Sequence, residues 1–279
     1  MSGFISCYTN DYGPFGVRAA VENVREAGIE YLELALRAHD FGGLVIPESA
    51  VITEESDDRT IEEFRELLLK HDVKLSGCNI GGGEIGSQDG LDRLKKRLRL
   101  TRERFEVDLV VASAGRATSP EGWRVVVAHL RKLADLANDL GLLIALETHK
   151  GPTQNAEAML KTLEELDHPA FCLNFDTGNI AYYNQSADPA QELERVARWV
   201  RNVHLKDNRG GFEDWYFPAL GAGGSVDFAK IRTIMDQAGY SDSYTIEIEG
   251  IGRESEPGLP ERKRRVAESV KHLKSRGYS

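Results

Sequence analysis

Cysteine is scarce in this chain: Cys7, Cys78 and Cys172 are the only three, and no CxxC spacing occurs. An odd number of thiols in or beside apolar, strand-like segments points to buried free cysteines in a reducing compartment, not to a disulfide framework. Long hydrophobic runs are also missing. No stretch approaches the roughly 18 apolar residues of a membrane helix. The opening MSGFISCYTN has no basic segment followed by a long apolar run. The expectation is a cytoplasmic protein with no membrane partner. Positive charge is in deficit, with 35 Lys and Arg against 45 Asp and Glu and a net charge of -10. That argues against nonspecific nucleic-acid binding, which needs a basic face. No Walker-type or Rossmann glycine pattern follows the first strand, and no Ser-His-Asp arrangement can be argued from spacing.

What remains is ordinary in amount and unusual in placement. Hydrophobic residues are 41% and charged residues 29% of 279, enough for one domain over 1–279 with a full core. Strand-like and helix-like periodicities alternate along the whole chain. Strands are expected at 3–8, 29–36, 73–80, 107–114, 142–151, 171–180, 200–208 and 243–249. Helices are expected at about 14–27, 60–72, 89–105, 120–140, 155–166, 189–199, 227–239 and 260–275. Ser119-Pro120-Glu121 is an N-cap followed by an N1 proline. A Gly-, Pro- and acid-rich loop covers 37–58, with a tip expected to be mobile.

Eight strand–helix units mean a parallel sheet with helical crossovers, either an open doubly wound sheet or a closed (β/α)8 TIM barrel. The strand faces decide. Val203 and Leu205 oppose Asn202, His204 and Lys206; Ile246 and Ile248 oppose Glu247 and Glu249. In an open sheet those charges would lie beneath a helix without partners. In a barrel they line the interior near the carboxyl end, where ligands sit. The expected fold is the barrel.

Four strands end on chemistry. LLIALETHKG (142–151) is a buried-strand run that finishes on Glu147, Thr148, His149 and Lys150. FCLNFDTGNI ends on Asp176 and Asn179, VRNVHLKDN on His204, Lys206 and Asp207, and SYTIEIEG on Glu247 and Glu249. The intervals fit consecutive units averaging about 35 residues (279 over eight), so the four ends form one arc around the mouth. Three carboxylates at close range repel one another, and a divalent cation removes that repulsion better than Lys150 or Lys206 alone. Glu147, Asp176, His204 and Glu247 are the expected ligands. Such an oxygen-rich set suits Mn²⁺, Mg²⁺ or Co²⁺, with Zn²⁺ compatible through the single His.

Substrate contacts are expected among His149, Asn179, Lys206, Arg209 and Trp215. For Lys206 an ion pair with Glu249 or Asp207 is the competing reading. Asp207 is expected to brace the following loop, and Gly221–Gly224 to form a simple turn. Glu33 and His39 are placed at the rim, and His71, His129, His168 and His272 in solvent.

At these residues the chain resembles the xylose isomerase-like TIM-barrel superfamily. It is most similar to the sugar phosphate isomerase/epimerase branch, which includes ketose 3-epimerases, hydroxypyruvate isomerases and inosose dehydratases. The motifs are ALETHKG (145–151), FDTGNI (175–180), VHLKD (203–207), LGAGGSVDF (220–228) and GYSDSYTIEIEG (239–250). The first half of the chain matches only in its strand–helix rhythm. The resemblance implies one divalent metal on Glu147, Asp176, His204 and Glu247, with the two glutamates as acid/base groups on opposite sides of a carbohydrate. It implies an isomerase or epimerase that works through an enediolate. An inosose dehydratase-like lyase is one alternative. A non-catalytic sugar-binding barrel is the alternative from another class, and self-association into a homo-oligomer is left open. The chain departs from the epimerase pattern where Asn179 replaces a His. It departs again where Gly210 stands six residues after His204 in place of an Arg, with Arg209 one residue short. The endonuclease branch binds several zinc ions through additional histidines; Asn179 and the acidic charge argue against it.

Overall fold

The computed structural model describes residues 3–37, 52–81 and 83–279. His39 and the tip of the 37–58 loop lie outside the described residues. In chain order the elements are β1 (Phe4–Tyr8), α1 (Gly16–Asn23), β2 (Tyr31–Arg37), β3 (Ile52–Thr53), α2 (Asp58–Lys70), β4 (Lys74–Asn79) and α3 (Gln88–Phe105). Then come β5 (Leu109–Ala112), α4 (Pro120–Leu140), β6 (Leu143–Glu147), α5 (Ala156–Leu166), β7 (Phe171–Asp176), α6 (Thr177–Tyr183) and α7 (Pro189–Val196). The chain finishes with β8 (Val200–Leu205), β9 (Tyr216–Phe217), α8 (Phe228–Gln237), β10 (Ser243–Ile246), β11 (Gly250–Ile251) and α9 (Leu259–Ser275).

The sheet runs β1-β10-β8-β7-β6-β5-β4-β2, and a further β1–β2 pairing closes it. Eight parallel strands thus form a TIM barrel ringed by helices, a single α/β domain. The alternation seen in the sequence sorts the side chains. Leu32, Leu34, Leu36, Ile144, Leu146, Leu173, Phe175, Val203, Leu205 and Ile246 join the core between wall and helices. Residues of opposite parity point inward. On one side of the interior they are apolar: Leu109, Val111, Ala145 and Cys172 form a small cluster of their own. On the other they are polar and buried: Ser6, Glu33, Asn202, Ser243 and Thr245. The three cysteines are buried and unpaired.

Local signals set the helix starts. Asp57, Ser87, Ser119, Asn155, Asp176, Asp188 and Asp227 each accept a backbone N–H from the first turn of the helix they cap. Three features differ from the sequence reading. Residues 177–180 do not extend the sixth strand but open α6, because the Asp176 carboxylate caps them. Strand eight of the barrel stops at Ile246, and Gly250–Ile251 pairs antiparallel with Tyr216–Phe217 in the loop between β8 and α8. His129 is buried in α4, not solvated, with Nδ1 2.7 Å from the Ile85 carbonyl. Among the described residues no helix is long and apolar enough to cross a membrane.

Candidate metal centre

Each of four neighbouring strands carries one polar side chain to the carboxyl end of the barrel. On β6 the inward series Leu143, Ala145 ends at Glu147, where Thr153 Oγ1 donates to the Glu147 carbonyl and holds the turn. On β7 the inward series Cys172, Asn174 ends at Asp176, whose N–H donates to Thr148 Oγ1 at 3.0 Å. The pairing register sets Asp176 beside His204 of β8. Glu247 follows β10, and its N–H donates to the Leu205 carbonyl at 3.1 Å. One donor atom from each of Glu147, Asp176, His204 and Glu247 lies within 4.8 Å of the others.

Asp176 and His204 each use their two polar atoms differently. Asp176 Oδ1 accepts the N–H groups of Gly178 and Asn179, both at 2.9 Å, while Oδ2 faces the cluster. The His204 ring stands between carboxylates. Its Nε2 lies 2.9 and 3.0 Å from the two oxygens of Glu33; its Nδ1 lies 2.8 Å from Glu247 Oε2 and 3.4 Å from Glu147 Oε1. Asp176 Oδ2, His204 Nδ1 and Glu247 Oε2 are fully buried, yet none has a partner in hydrogen-bond geometry. Buried polar atoms without partners are costly. These atoms have ion-pair neighbours only, Lys206 Nζ for Asp176 Oδ2 and each other for His204 Nδ1 and Glu247 Oε2, and their convergence with Glu147 fits a divalent cation. Three oxygens and one imidazole nitrogen suit a hard or borderline metal.

Charge within the cluster is strongly perturbed. Burial pushes the Asp176 carboxyl up to about 7 although Lys206 pulls the other way. Burial also raises Glu249, with Lys206 again opposing. For Glu247 burial is outweighed by Lys206 and His204, which hold it well below the usual carboxylate range. Glu147 is lowered too: burial opposes ionisation, but contacts with His204 and the charges of His149 and His204 prevail. Burial favours the neutral His204 ring, and the charges of Glu33 and Glu247 overcome it, so its value lies well above the imidazole norm. The proton on His204 thus supplies part of the positive charge the carboxylates require.

Lys206 is buried at the centre of this network. Its Nζ lies 3.1 Å from Asp176 Oδ2, 3.2 Å from Glu247 Oε1 and 3.0 Å from Glu249 Oε2, and 4.9 Å from the Phe217 ring centroid. The ion pair with Glu249 is present; Asp207 instead accepts the backbone N–H groups of Asn208, Gly221 and Val226. The stem of Lys206 packs on Gly178, where a Cβ would come within 2.7 Å of Lys206 Cγ.

Asn179 is buried with its amide engaged at both ends, donating to the Thr148 carbonyl at 3.0 Å and accepting from Lys206 Nζ at 3.3 Å. It holds the lysine from inside the protein. His149 is half-buried; Nδ1 lies 2.9 Å from the Thr148 carbonyl and the ring stands edge-on to Tyr183. Trp215 packs edge-on against Tyr182 and Phe217 and lines a cavity of about 230 Å³ with Glu249 and Asp11. Arg209 does not join the cluster: it is exposed, pairs with Asp214 and lies over the Tyr216 ring. Glu33 is not at the rim. It is inside the barrel, buried, and its contact with His204 spans 171 residues of sequence. Asn202, expected on the interior face, hydrogen-bonds Glu33 and Ser243, and Asp11 is a further buried participant that the sequence did not single out. Asp11 accepts the Ile248 N–H at 2.8 Å beside Glu247.

A family profile described as xylose isomerase-like TIM barrel matches residues 21–276. The inosose dehydratase of Geobacillus thermodenitrificans is 26% identical over 267 residues, covering 89% of this chain and 79% of that protein. The D-allulose 3-epimerase of Methylomonas sp. in complex with D-allulose superposes with a TM-score of 0.73 at 18% identity, covering 99% of this chain and 97% of that one. A xylose isomerase-like TIM barrel protein from Mycobacterium smegmatis in complex with magnesium gives 0.71 at 17% identity, covering 99% and 98%. At such identities the two solved structures share the fold.

Proposed function

Because the chain belongs to the xylose isomerase-like TIM barrel family, we propose that it is a divalent-metal-dependent sugar or sugar phosphate isomerase/epimerase. The observation that carries this reading is the meeting of Glu147, Asp176, His204 and Glu247 within 4.8 Å at the carboxyl end of the barrel. Those four residues would hold the ion. When bound, Mn²⁺, Mg²⁺, Co²⁺ or Zn²⁺ supplies Lewis acidity toward a carbonyl and its neighbouring hydroxyl.

The chain's own residues do the rest. Glu147 Oε1 and Glu247 Oε2 lie 3.4 and 2.8 Å from His204 Nδ1. Both are held below the usual range by their surroundings, hence ionised and able to accept a proton. One takes the proton from the carbon next to the carbonyl and leaves an enediolate; the other returns it. Return to the same carbon on the opposite face is epimerisation, and return to the neighbouring carbon is aldose–ketose isomerisation. Lys206 fixes the Glu247 carboxylate through Oε1. Phe217 packs against Lys206 Nζ, and Trp215 lines a cavity beside Glu249.

A second reading has its own support. The Geobacillus relative is an inosose dehydratase aligned along most of both chains. Loss of a β-hydroxyl from the same enediolate makes the reaction a dehydration. One experiment tests both. Metal-supplemented protein is incubated in deuterated water with a panel of ketoses, aldoses and inososes, and products are read by mass. Deuterium gain without mass loss is expected for an isomerase or epimerase; loss of water identifies a dehydratase. A protein that binds metal yet exchanges no proton into any member is a sugar-binding barrel, and the proposal fails.

A further inference from the structure

We propose that Glu33 is a positioning residue for the metal centre: from the opposite side of the barrel it fixes the His204 ring so that Nδ1 alone faces the ion. This rests on the metal-centre reading above. Glu33 belongs to β2, which is separated from β8 in the closed sheet by β1 and β10. Both its oxygens lie at hydrogen-bond distance from His204 Nε2, at 2.9 and 3.0 Å. Its Oε2 also accepts from Asn202 Nδ2 at 2.8 Å, and Asn202 Oδ1 accepts from Ser243 Oγ at 2.6 Å. The carboxylate is thereby locked by β8 and, through Asn202, by β10.

The placement is hard to explain as packing alone. A carboxylate that is 1% exposed costs several kcal/mol to bury unless it is paired and hydrogen-bonded. Its recorded side-chain partners are one imidazole and one amide. An aliphatic residue of similar size would fill the same space without that cost. What the carboxylate adds is direction. With Nε2–H committed to Glu33, the ring cannot flip, and its other nitrogen is aimed at Glu147 and Glu247. A carboxylate on the distal nitrogen of a metal-bound imidazole also strengthens the ligand, and losing such a partner typically costs about 10–100-fold in metal affinity.

The test uses the full chain, stripped of metal by a chelator and titrated with Co²⁺. Calorimetry gives the affinity and the ligand-field absorption reports the geometry at the ion. Wild type is expected to bind one Co²⁺. Glu33→Gln keeps an acceptor for Nε2–H, so it should fold, bind roughly several-fold more weakly and show a shifted spectrum. Glu33→Ala should lose about 10–100-fold. If either folded variant binds Co²⁺ with wild-type affinity and an unchanged spectrum, Glu33 is only a buried polar group and the inference is overturned. Should Glu33→Ala fail to fold, Glu33→Gln decides. A wild-type protein that binds no Co²⁺ overturns the metal-centre reading itself, which separates the two failures.

Discussion

Glu147 and His204 sit within 3.4 Å of each other, yet their proposed duties differ, and substitution separates them. Glu147→Gln keeps the size and one oxygen donor but removes the basic carboxylate. At saturating metal, proton exchange into substrate should fall by roughly 10²–10⁴-fold, the usual worth of a positioned general base, while metal affinity falls modestly. His204→Ala should show the reverse ranking, with weak metal retention and activity partly restored by excess metal. Near wild-type deuterium exchange in both Glu147→Gln and Glu247→Gln would remove the glutamates as bases. A second residue-scale expectation concerns pH. His204 carries a value well above the imidazole norm, because nearby carboxylates outweigh burial. The metal-free ring therefore holds its proton through neutrality, and a cation at Nδ1 must displace it. Asp176, pushed by burial to about 7, gives up a proton as well when the pH is lower than that. Metal affinity should rise with pH, most steeply below about pH 7 and still measurably above the ordinary imidazole value of about 6.5. Calorimetric titration with Mn²⁺ across that range checks it; a pH-independent affinity contradicts it. All four proposed ligands were readable in the sequence because a carboxylate or imidazole at the end of an apolar strand has no packing reason to be there. Glu33 was not, since nothing local tells a strand glutamate that its partner lies 171 residues away.

At the scale of elements, α6 shows how a short helix serves the site. Asp176 caps it with Oδ1 and presents Oδ2 to the cluster; Gly178 in its first turn leaves room for the Lys206 stem. In an ordinary helix, replacing glycine by alanine stabilises. Here the added methyl would meet Lys206 Cγ at 2.7 Å and Cδ at 3.0 Å, and Lys206 cannot move without leaving three carboxylates. Gly178→Ala should therefore destabilise by about 1–3 kcal/mol, the usual cost of overpacking. Urea denaturation in the presence of a chelator measures it, and a gain in stability would show that the lysine yields freely. Long elements were legible because their signals are local. Ser119 and Pro120 announce α4, and the leucine alternation of β2 announces its outward face. By contrast, α6 was hidden in the strand pattern because TGNIAYY spans only seven residues, too short for a helical period to emerge. The β9–β11 pair was hidden because pairing between residues 216–217 and 250–251 is set by closure of the barrel, not by either segment.

Over the whole molecule, the sequence revealed the barrel by the side of the strand on which charge appears. That argument works only for a closed sheet, in which one face is enclosed. What it could not reveal is the division of the interior. The apolar cluster of Leu109, Val111, Ala145 and Cys172 fills one part, while the Ser6, Glu33, Asn202 and Ser243 side carries hydrogen bonds beneath the proposed metal centre. Both sets alternate in the same way along their strands. The division has a consequence for stability. The four proposed ligands come from the end of β6, the end of β7, from β8 and from the residue after β10. A cation bound there ties one half of the barrel wall into a single cross-link that the unfolded chain lacks. Without it, Asp176 Oδ2 relies on Lys206 and Glu247 Oε2 on the protonated His204 ring for compensating charge. Binding at a hundredfold excess over Kd stabilises by about 2.7 kcal/mol, which for a domain of this size raises Tm by roughly 5 °C. Thermal unfolding after chelator treatment, with Mn²⁺ added back in steps, should trace that rise as a function of concentration. His204→Ala should lose most of the shift, whereas Arg209→Ala, whose guanidinium pairs with Asp214 outside the cluster, should keep it. An equal shift in wild type and His204→Ala would place the stabilising ion elsewhere on this acidic surface.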